Sequence, residues 1–402
     1  MIPFSPPRVD QKIIDEVVDT LQSGWWTTGP KTKRFEKELT KYCGNRTTVA
    51  VSSATAGLEL MLRWFGVKEG DEVIIPAYTY SATANVVCHL GAIPVMVDTQ
   101  HDFNISPKEI AKFITIKTKV IIPVDIAGFP CDYDEIKQII EEQKDKFVPN
   151  GPEQLKLGRI LLLADAAHSV GARYKGSMSG AIADVSVFSF HAVKNLATAE
   201  GGAIAINLPE QFDRKEIYKY LCMLSLHGQS KDALAKTEKG GWRYDIIEPG
   251  YKCNMTDIQA SIGLVELERY EEDTLKRRKE IFDRYSVTLS KYAWADIPVA
   301  ETEEKQSSYH IYMLRLNNFV ELQRDQVIQE IFDKDVSVNV HFQPLPLLTA
   351  YKSREYKMED YPRSFDNYQR EITLPLYYSL TNEQVDQVIK VVVASVENVL
   401  NS

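Results

Sequence analysis

The chain has 402 residues, 44% of them hydrophobic and 26% charged, with a formal net charge of −9. That length predicts a large core plus a smaller unit, and an acidic balance without a long basic run argues against nucleic acid or an anionic membrane as partner. The N-terminal residues lack a basic segment followed by an apolar one, no apolar stretch approaches membrane-spanning length, and five scattered cysteines include no Cys-x-x-Cys pair. The expectation is a cytoplasmic protein with reduced thiols and no metal site.

Along the first two-thirds, short β-rich runs alternate with helical patterns. The predicted strands are Thr47–Ser52, Glu72–Ile75, Ile93–Val97, Lys119–Val124, Ile160–Ala164, Asp184–Phe188 and Gly202–Ile206. Continuous apolar runs such as Ile160-Leu-Leu-Leu-Ala suit strands buried on both faces. Helices are predicted at Ala54–Phe65, Ser81–Leu90, Tyr133–Glu142 and Gln211–Leu224. This alternation predicts an α/β fold with a mostly parallel central sheet. After Gly250 the texture changes. Thr256 is a candidate N-cap for one long amphipathic helix running towards Tyr292. A strand (Tyr309–Leu316), a helix (Leu322–Phe332), a strand (Val336–Phe342) and a last helix (Asn382–Leu400) follow. We expect a large domain over residues 1–268 and a smaller C-terminal α/β domain over 269–402.

Three segments carry candidate chemistry. In Ser186-Val-Phe-Ser-Phe-His-Ala-Val-Lys, Lys194 sits on a loop just past an apolar strand, with Ser189 and His191 beside it. In Leu161-Leu-Leu-Ala-Asp-Ala-Ala-His, Asp165 ends an apolar strand at the carboxyl edge, where open α/β sheets bind ligands. In Val51-Ser-Ser-Ala-Thr-Ala-Gly, a small-residue turn opens a helix. There Ser53, Ala54, Thr55 and Ala56 are candidates to close on a phosphate, with Ser189 completing the cradle. Each has an ordinary alternative: an exposed loop lysine, an aspartate N-cap, and simple helix capping. Together they match the needs of pyridoxal 5'-phosphate (PLP), which takes a lysine amine for its Schiff base and a carboxylate facing the pyridine nitrogen.

Over its whole length the chain resembles the DegT/DnrJ/StrS family of PLP-dependent nucleotide-sugar aminotransferases, which have the aspartate-aminotransferase type of fold. The likeness rests on Gly24-Trp-Trp-Thr-Thr-Gly-Pro, Val51-Ser-Ser-Ala-Thr-Ala-Gly, Ala164-Asp-Ala-Ala-His, Ser189-Phe-His-Ala-Val-Lys-Asn, Pro249-Gly-Tyr-Lys-Cys-Asn-Met-Thr and Ser337-Val-Asn-Val-His-Phe. It implies that Lys194 is the Schiff-base lysine and Asp165 the partner of the pyridine nitrogen. It puts His168 near the ring's hydroxyl side, Tyr80 on the ring face, and Thr55, Ala56 and Ser189 at the phosphate. Thr28, Gly29 and His341 fall at substrate positions.

The resemblance further implies a homodimer with shared sites, in which the segment after Gly250-Tyr251 reaches the neighbour's phosphate. Many relatives have Asn directly after that Gly-Tyr and Arg two places on; here Lys252 and Asn254 stand there, and the choice between them stays open. Asp125 is a second departure, since many relatives carry His at that place, and it bears on the substrate. His310 is expected to be packed or surface-facing. Arg34, Lys31 and Lys252 are candidates for a basic site mouth. The implied reaction passes an amine from L-glutamate, through pyridoxamine phosphate, to the keto group of a nucleotide-linked sugar. The default is a 4-keto sugar for a surface polysaccharide or amino sugar.

Alternatives are a PLP-dependent sugar dehydratase or an enzyme acting on a cyclitol or aminoshikimate-type ketone. The intact Lys194 argues against the first, since the family's dehydratases carry histidine there. A non-enzymatic binding module is disfavoured, because the chain has no spare length for a DNA-binding domain. A Rossmann dehydrogenase is too, because no Gly-x-Gly-x-x-Gly follows the first strand.

Overall fold

Nine strands precede residue 210 in this computed structural model, which describes residues 1–230 and 243–401. They are β1 (Thr47–Val51), β2 (Glu72–Pro76), β3 (Ile93–Val97), β4 (Thr118–Ile121), β5 (Leu161–Asp165), β6 (Arg173–Tyr174), β7 (Ser177–Met178), β8 (Val185–Ser189) and β9 (Gly202–Ile206). Seven of them form one sheet in the order β1-β9-β8-β5-β4-β2-β3. Only β9 runs against its neighbours; the other pairs are parallel. β5, β8 and β9 are buried along their whole length, and their largely apolar sequences suit strands covered on both faces.

Alternate residues of the same strands feed two cores. Val49, Val51, Val185, Val187, Ile204 and Ile206 face a core that includes Leu58 and Met61 of the helix Ala54–Trp64. Ala50, Phe188, Ala203 and Ala205 face the other, which includes Phe35 and Leu39 of the helix Pro30–Cys43 and Leu264 of the helix Asp257–Glu268.

The C-terminal part adds β10 (Ala295–Asp296), β11 (Lys305–Gln306), β12 (Tyr312–Leu316) and β13 (Glu371–Leu374). β10, β12 and β13 make a three-stranded antiparallel sheet. Ile331 of the helix Glu321–Asp333, Ile281 of the helix Lys276–Leu289 and Val388 of the helix Asn382–Leu400 share one core with its Leu314 and Ile372. β11 pairs with the β6–β7 hairpin of the first part.

Three expectations need correction. The helix that Thr256 opens with a capping box to Gln259 stops at Glu268, and a π turn over Tyr270–Leu275 separates it from Lys276–Leu289. The turn is held from its sides: the Tyr270 hydroxyl donates to the Val170 carbonyl at 2.8 Å, and Glu271 accepts from Tyr42 and Arg173. Val336–Phe342 is no strand. It pairs only at Val336, with Ile2, and at Asn339, with Thr373, and the Asn339 side chain then takes the Val340 N–H at 2.8 Å and ends the ladder. The strand expected from Tyr309 begins at Tyr312, because Ser308 and His310 donate their N–H groups to the carbonyls of Gly128 and Ala127. Among the described residues no helix is long and apolar enough to cross a membrane, and no group of three His, Cys, Asp or Glu side chains is placed to hold a metal.

Candidate active site

The carboxyl ends of β5 and β8 deliver Asp165 and Ser189 to one side of the sheet, and the loop from β8 back to β9 carries Lys194. All three line a cavity of about 360 Å³. Ser53, Ala54, Thr55, Tyr80, His168 and His341 line it too. The lysine loop is fixed at both ends. Phe190 N–H donates to Gly201, Thr198 N–H donates to Phe190, and the buried Asn195 amide donates to the Ser308 carbonyl at 2.7 Å.

Asp165 is 6% exposed. Its Oδ2 accepts from the Thr83 hydroxyl at 2.8 Å and its Oδ1 from the Ala167 N–H at 3.3 Å. Burial pushes the carboxyl up, while these donors and the charge of Lys194 pull it back. Lys194 shows the complement: burial brings its amine down to about 8, and the Asp165 charge opposes that. The two groups therefore lie within electrostatic reach across one cavity.

Ser53 caps the helix Ala54–Trp64, its hydroxyl accepting the Ala56 N–H at 3.1 Å. Helical geometry leaves the Ala54 and Thr55 N–H groups without intrahelical acceptors, at the positive end of the helix dipole. Gly202 lets β9 run close behind this turn: a Cβ there would lie 2.5 Å from the Ser53 carbonyl carbon and 2.6 Å from the Ala54 nitrogen. Ala56 itself is off the cavity, its N–H already used by Ser53.

The opposite wall is aromatic. Tyr80 is 63% exposed, with its ring 5.9 Å from that of Phe342. His168 packs 4.3 Å from His310 and 5.9 Å from Phe342. Burial and the charge of Lys194 hold His168 well below the usual imidazole range, and its enclosed Nδ1 has no hydrogen-bond partner. His310 is packed, as expected, with Nδ1 2.8 Å from Asn195 Oδ1, yet it also reaches the cavity wall.

Thr28, Gly29, Lys252 and Asn254 gather elsewhere. Thr28 donates to the Met255 carbonyl and accepts from Asn254, Lys252 bonds Asn254, and Asp257 takes the Gly29 N–H at 2.8 Å. None of the four lines the cavity of its own chain. Lys31 is engaged by Glu16 and Asp19, and Arg34 lies in a separate groove with Glu38 and Lys41. Asp125 does not meet the cavity either. It is fully buried, accepting from Cys131 N–H, the Tyr133 hydroxyl and the Ser169 hydroxyl, so its place is structural. Thr83, Phe4 and Phe342 escaped the sequence reading. Thr83 sits four residues after Thr79 in a helix start, and that spacing was its one signal.

The residues present suit PLP. His168, which has an enclosed, unpaired nitrogen, shares one cavity with a buried carboxylate, a desolvated amine and a helix start that a Cβ at position 202 would obstruct. The fold and the chemistry of this cavity are those of a PLP-dependent transferase with the aspartate-aminotransferase type of fold. The sequence model of the DegT/DnrJ/EryC1/StrS aminotransferase family matches residues 7–393. The chain belongs to that family and is a PLP-dependent aminotransferase.

Among its relatives, "Uncharacterized protein MJ1066" of Methanocaldococcus jannaschii is 39% identical over 97% of this chain and 96% of its own. "Spore coat polysaccharide biosynthesis protein SpsC" of Bacillus subtilis is 36% identical over the same shares, 97% and 96%. A similar solved structure is "Putative sugar aminotransferase Spr1654 from Streptococcus pneumoniae, PMP-form", with a TM-score of 0.96 and 48% identity, covering 99% of this chain and 100% of that one.

Proposed function

We propose that the protein moves an amino group from L-glutamate to the keto group of a nucleotide-linked sugar, with a 4-keto sugar as the first candidate, for amino-sugar or surface-polysaccharide synthesis. The observation that carries this reading is that Asp165 and Lys194 line one cavity and perturb each other's ionisation. The names of SpsC and Spr1654 support a sugar acceptor.

When bound, PLP supplies an electron sink for a carbanion at the carbon bearing the amine. Asp165 would keep the pyridine nitrogen protonated through opposite charge. Ser53, Ala54, Thr55 and Ser189 would hold the phosphate at the helix start. Tyr80 would cover the ring face, and His168 would meet its hydroxyl side. The Lys194 amine, brought near neutrality by burial, suits general acid–base work. Its Nζ takes a proton from the α-carbon of glutamate, and in the second half-reaction it returns one to the sugar carbon that gains nitrogen. His341 would face the sugar.

Thr28, Gly29, Lys252 and Asn254, displaced from their own cavity, would serve the neighbour's site in a homodimer. The domain boundary falls in this reading at Glu268, where the helix stops ahead of the π turn.

The test is a panel of UDP-, GDP- and dTDP-linked keto sugars assayed for glutamate-dependent turnover, with a visible spectrum of the purified protein first. Lys194→Ala is expected to abolish both turnover and the lysine-dependent absorbance. An unchanged rate in that variant would remove the mechanism.

A further inference from the structure

His341 reaches the cavity with its ring 5.6 Å from that of Phe4. Its Nδ1 lies 3.0 Å from Thr373 Oγ1, which leaves Nε2 as the nitrogen turned to the open space. The Thr373 hydroxyl is bonded to Glu371 Oε1, and the other Glu371 oxygen accepts the His341 backbone N–H at 3.0 Å. Tyr78 donates to the His341 carbonyl, so the residue is tied at both of its backbone polar groups. Burial and the charge of Lys194 bring the imidazole down to about 3. It is therefore neutral under ordinary conditions, and what remains variable is which nitrogen carries the hydrogen.

Counting hydrogens decides that. The backbone N–H of His341 can only donate, so the Glu371 oxygen facing it must accept. With Glu371 ionised, the second oxygen also accepts, and it takes the hydrogen of Thr373. The Thr373 oxygen then accepts from Nδ1–H, and Nε2 turns a lone pair to the cavity. With Glu371 neutral, its hydrogen must sit on the oxygen facing Thr373. The hydroxyl then turns its own hydrogen to Nδ1, and Nε2 presents an N–H.

We infer that Glu371 and Thr373 are positioning residues that set the tautomer of His341, and so decide whether the cavity is offered a hydrogen-bond acceptor or a donor at Nε2. The consequence for catalysis rests on the reading above, in which His341 faces the sugar. An acceptor suits a sugar hydroxyl, and a donor suits a carbonyl or phosphate oxygen. Both settings are within reach of ordinary conditions. Burial pushes Glu371 up to about 8, against the pull of the Thr373 hydroxyl, the His341 N–H and the guanidiniums of Arg324 and Arg315. Tyr78, the remaining titratable group against it, is itself pushed well up by burial and stays neutral.

The test is nitrogen-15 NMR of the histidine-labelled holoenzyme, whose seven histidines are assigned with the help of His341→Gln. In the unmodified protein His341 is expected to pass from the Nε2–H to the Nδ1–H form as pH rises through the ionisation of Glu371. In Glu371→Gln the amide oxygen must face the His341 N–H and the NH2 must face Thr373, so the ring stays Nε2–H at every pH. Thr373→Val uncouples the ring and abolishes the pH dependence, and Thr373→Ser restores it.

One tautomer shared by the unmodified protein and Glu371→Gln at all pH values, or a serine variant that behaves as the valine one, overturns the inference. Should Glu371→Gln fail to fold, the valine and serine pair decides alone. Turnover on the sugar panel is a separate readout, so the tautomer result and the functional reading can fail independently.

Discussion

The ionisation of Lys194 is the most direct physical test of the site. Burial drives the amine from 10.5 to about 8, which makes the neutral base about 300 times more abundant at neutral pH than for a surface lysine. The assay is competitive acylation of cofactor-free protein across a pH series, followed by digestion and mass spectrometry of the peptide containing Lys194. Its labelling should be half-maximal near pH 8, with exposed lysines titrating near their ordinary value. Asp165→Asn removes the anion that favours the ammonium form, so the half-point should fall further. The linkage has a definite sign: between about 8 and 10.5 the unfolded chain binds more protons at this residue, so its contribution to stability grows as pH rises through that window. A half-point near 10.5, or a rise in Asp165→Asn, would show that the amine is not desolvated beside that carboxylate.

Two substitutions probe the scaffold around the site. In Gly202→Ala the new methyl meets the Ser53 carbonyl carbon at 2.5 Å and the Ala54 nitrogen at 2.6 Å, backbone atoms that cannot swing aside. PLP affinity by absorbance titration should drop about tenfold or more, about 1.4 kcal/mol, and an unchanged Kd would mean the turn is not the phosphate site. Asp257→Ala orphans the N–H groups of Gly29, Lys31 and Thr32 and the Thr32 hydroxyl, all of which bond to this one carboxylate. At about 1–3 kcal/mol for each buried orphan and less for exposed ones, a loss of about 3–5 kcal/mol in denaturant unfolding is expected; a loss below about 1 kcal/mol refutes the capping role.

What could be seen in advance followed the strength of local patterns. β5, β8 and β9 were legible because strands buried on both faces are largely apolar, with polar residues such as Asp165 and Ser189 at their ends. The helix Pro30–Cys43 received no prediction: its buried apolar residues are Phe35, Leu39 and Cys43, a stripe one side chain wide in a run of charges. Val336, Val338, Val340 and Phe342 alternate as a strand would, but the ladder they anticipate is reduced to two isolated bridges, Val336 with Ile2 and Asn339 with Thr373. The π turn after Glu268 was invisible because its causes, Tyr42, Val170 and Arg173, are distant in sequence.

The site divides along the same line. Asp165 and Lys194 could be named because one cofactor demands both groups and strand ends are where they are deliverable. The histidines could not be weighed from sequence, since each owes its state to its surroundings: burial and the charge of Lys194 depress His168, His310 and His341 alike. Three neutral imidazoles can donate or accept without adding charge. Lys194 is the one lysine or arginine among the described residues lining the cavity. A nucleotide-linked sugar carries two phosphate charges, and a single amine occupied with proton transfer cannot also neutralise them. Lys31 cannot help, being held by Glu16 and Asp19. In the proposed reading the balancing positive charge would come from beyond this cavity, and Lys252 of a neighbouring copy is a candidate to supply it.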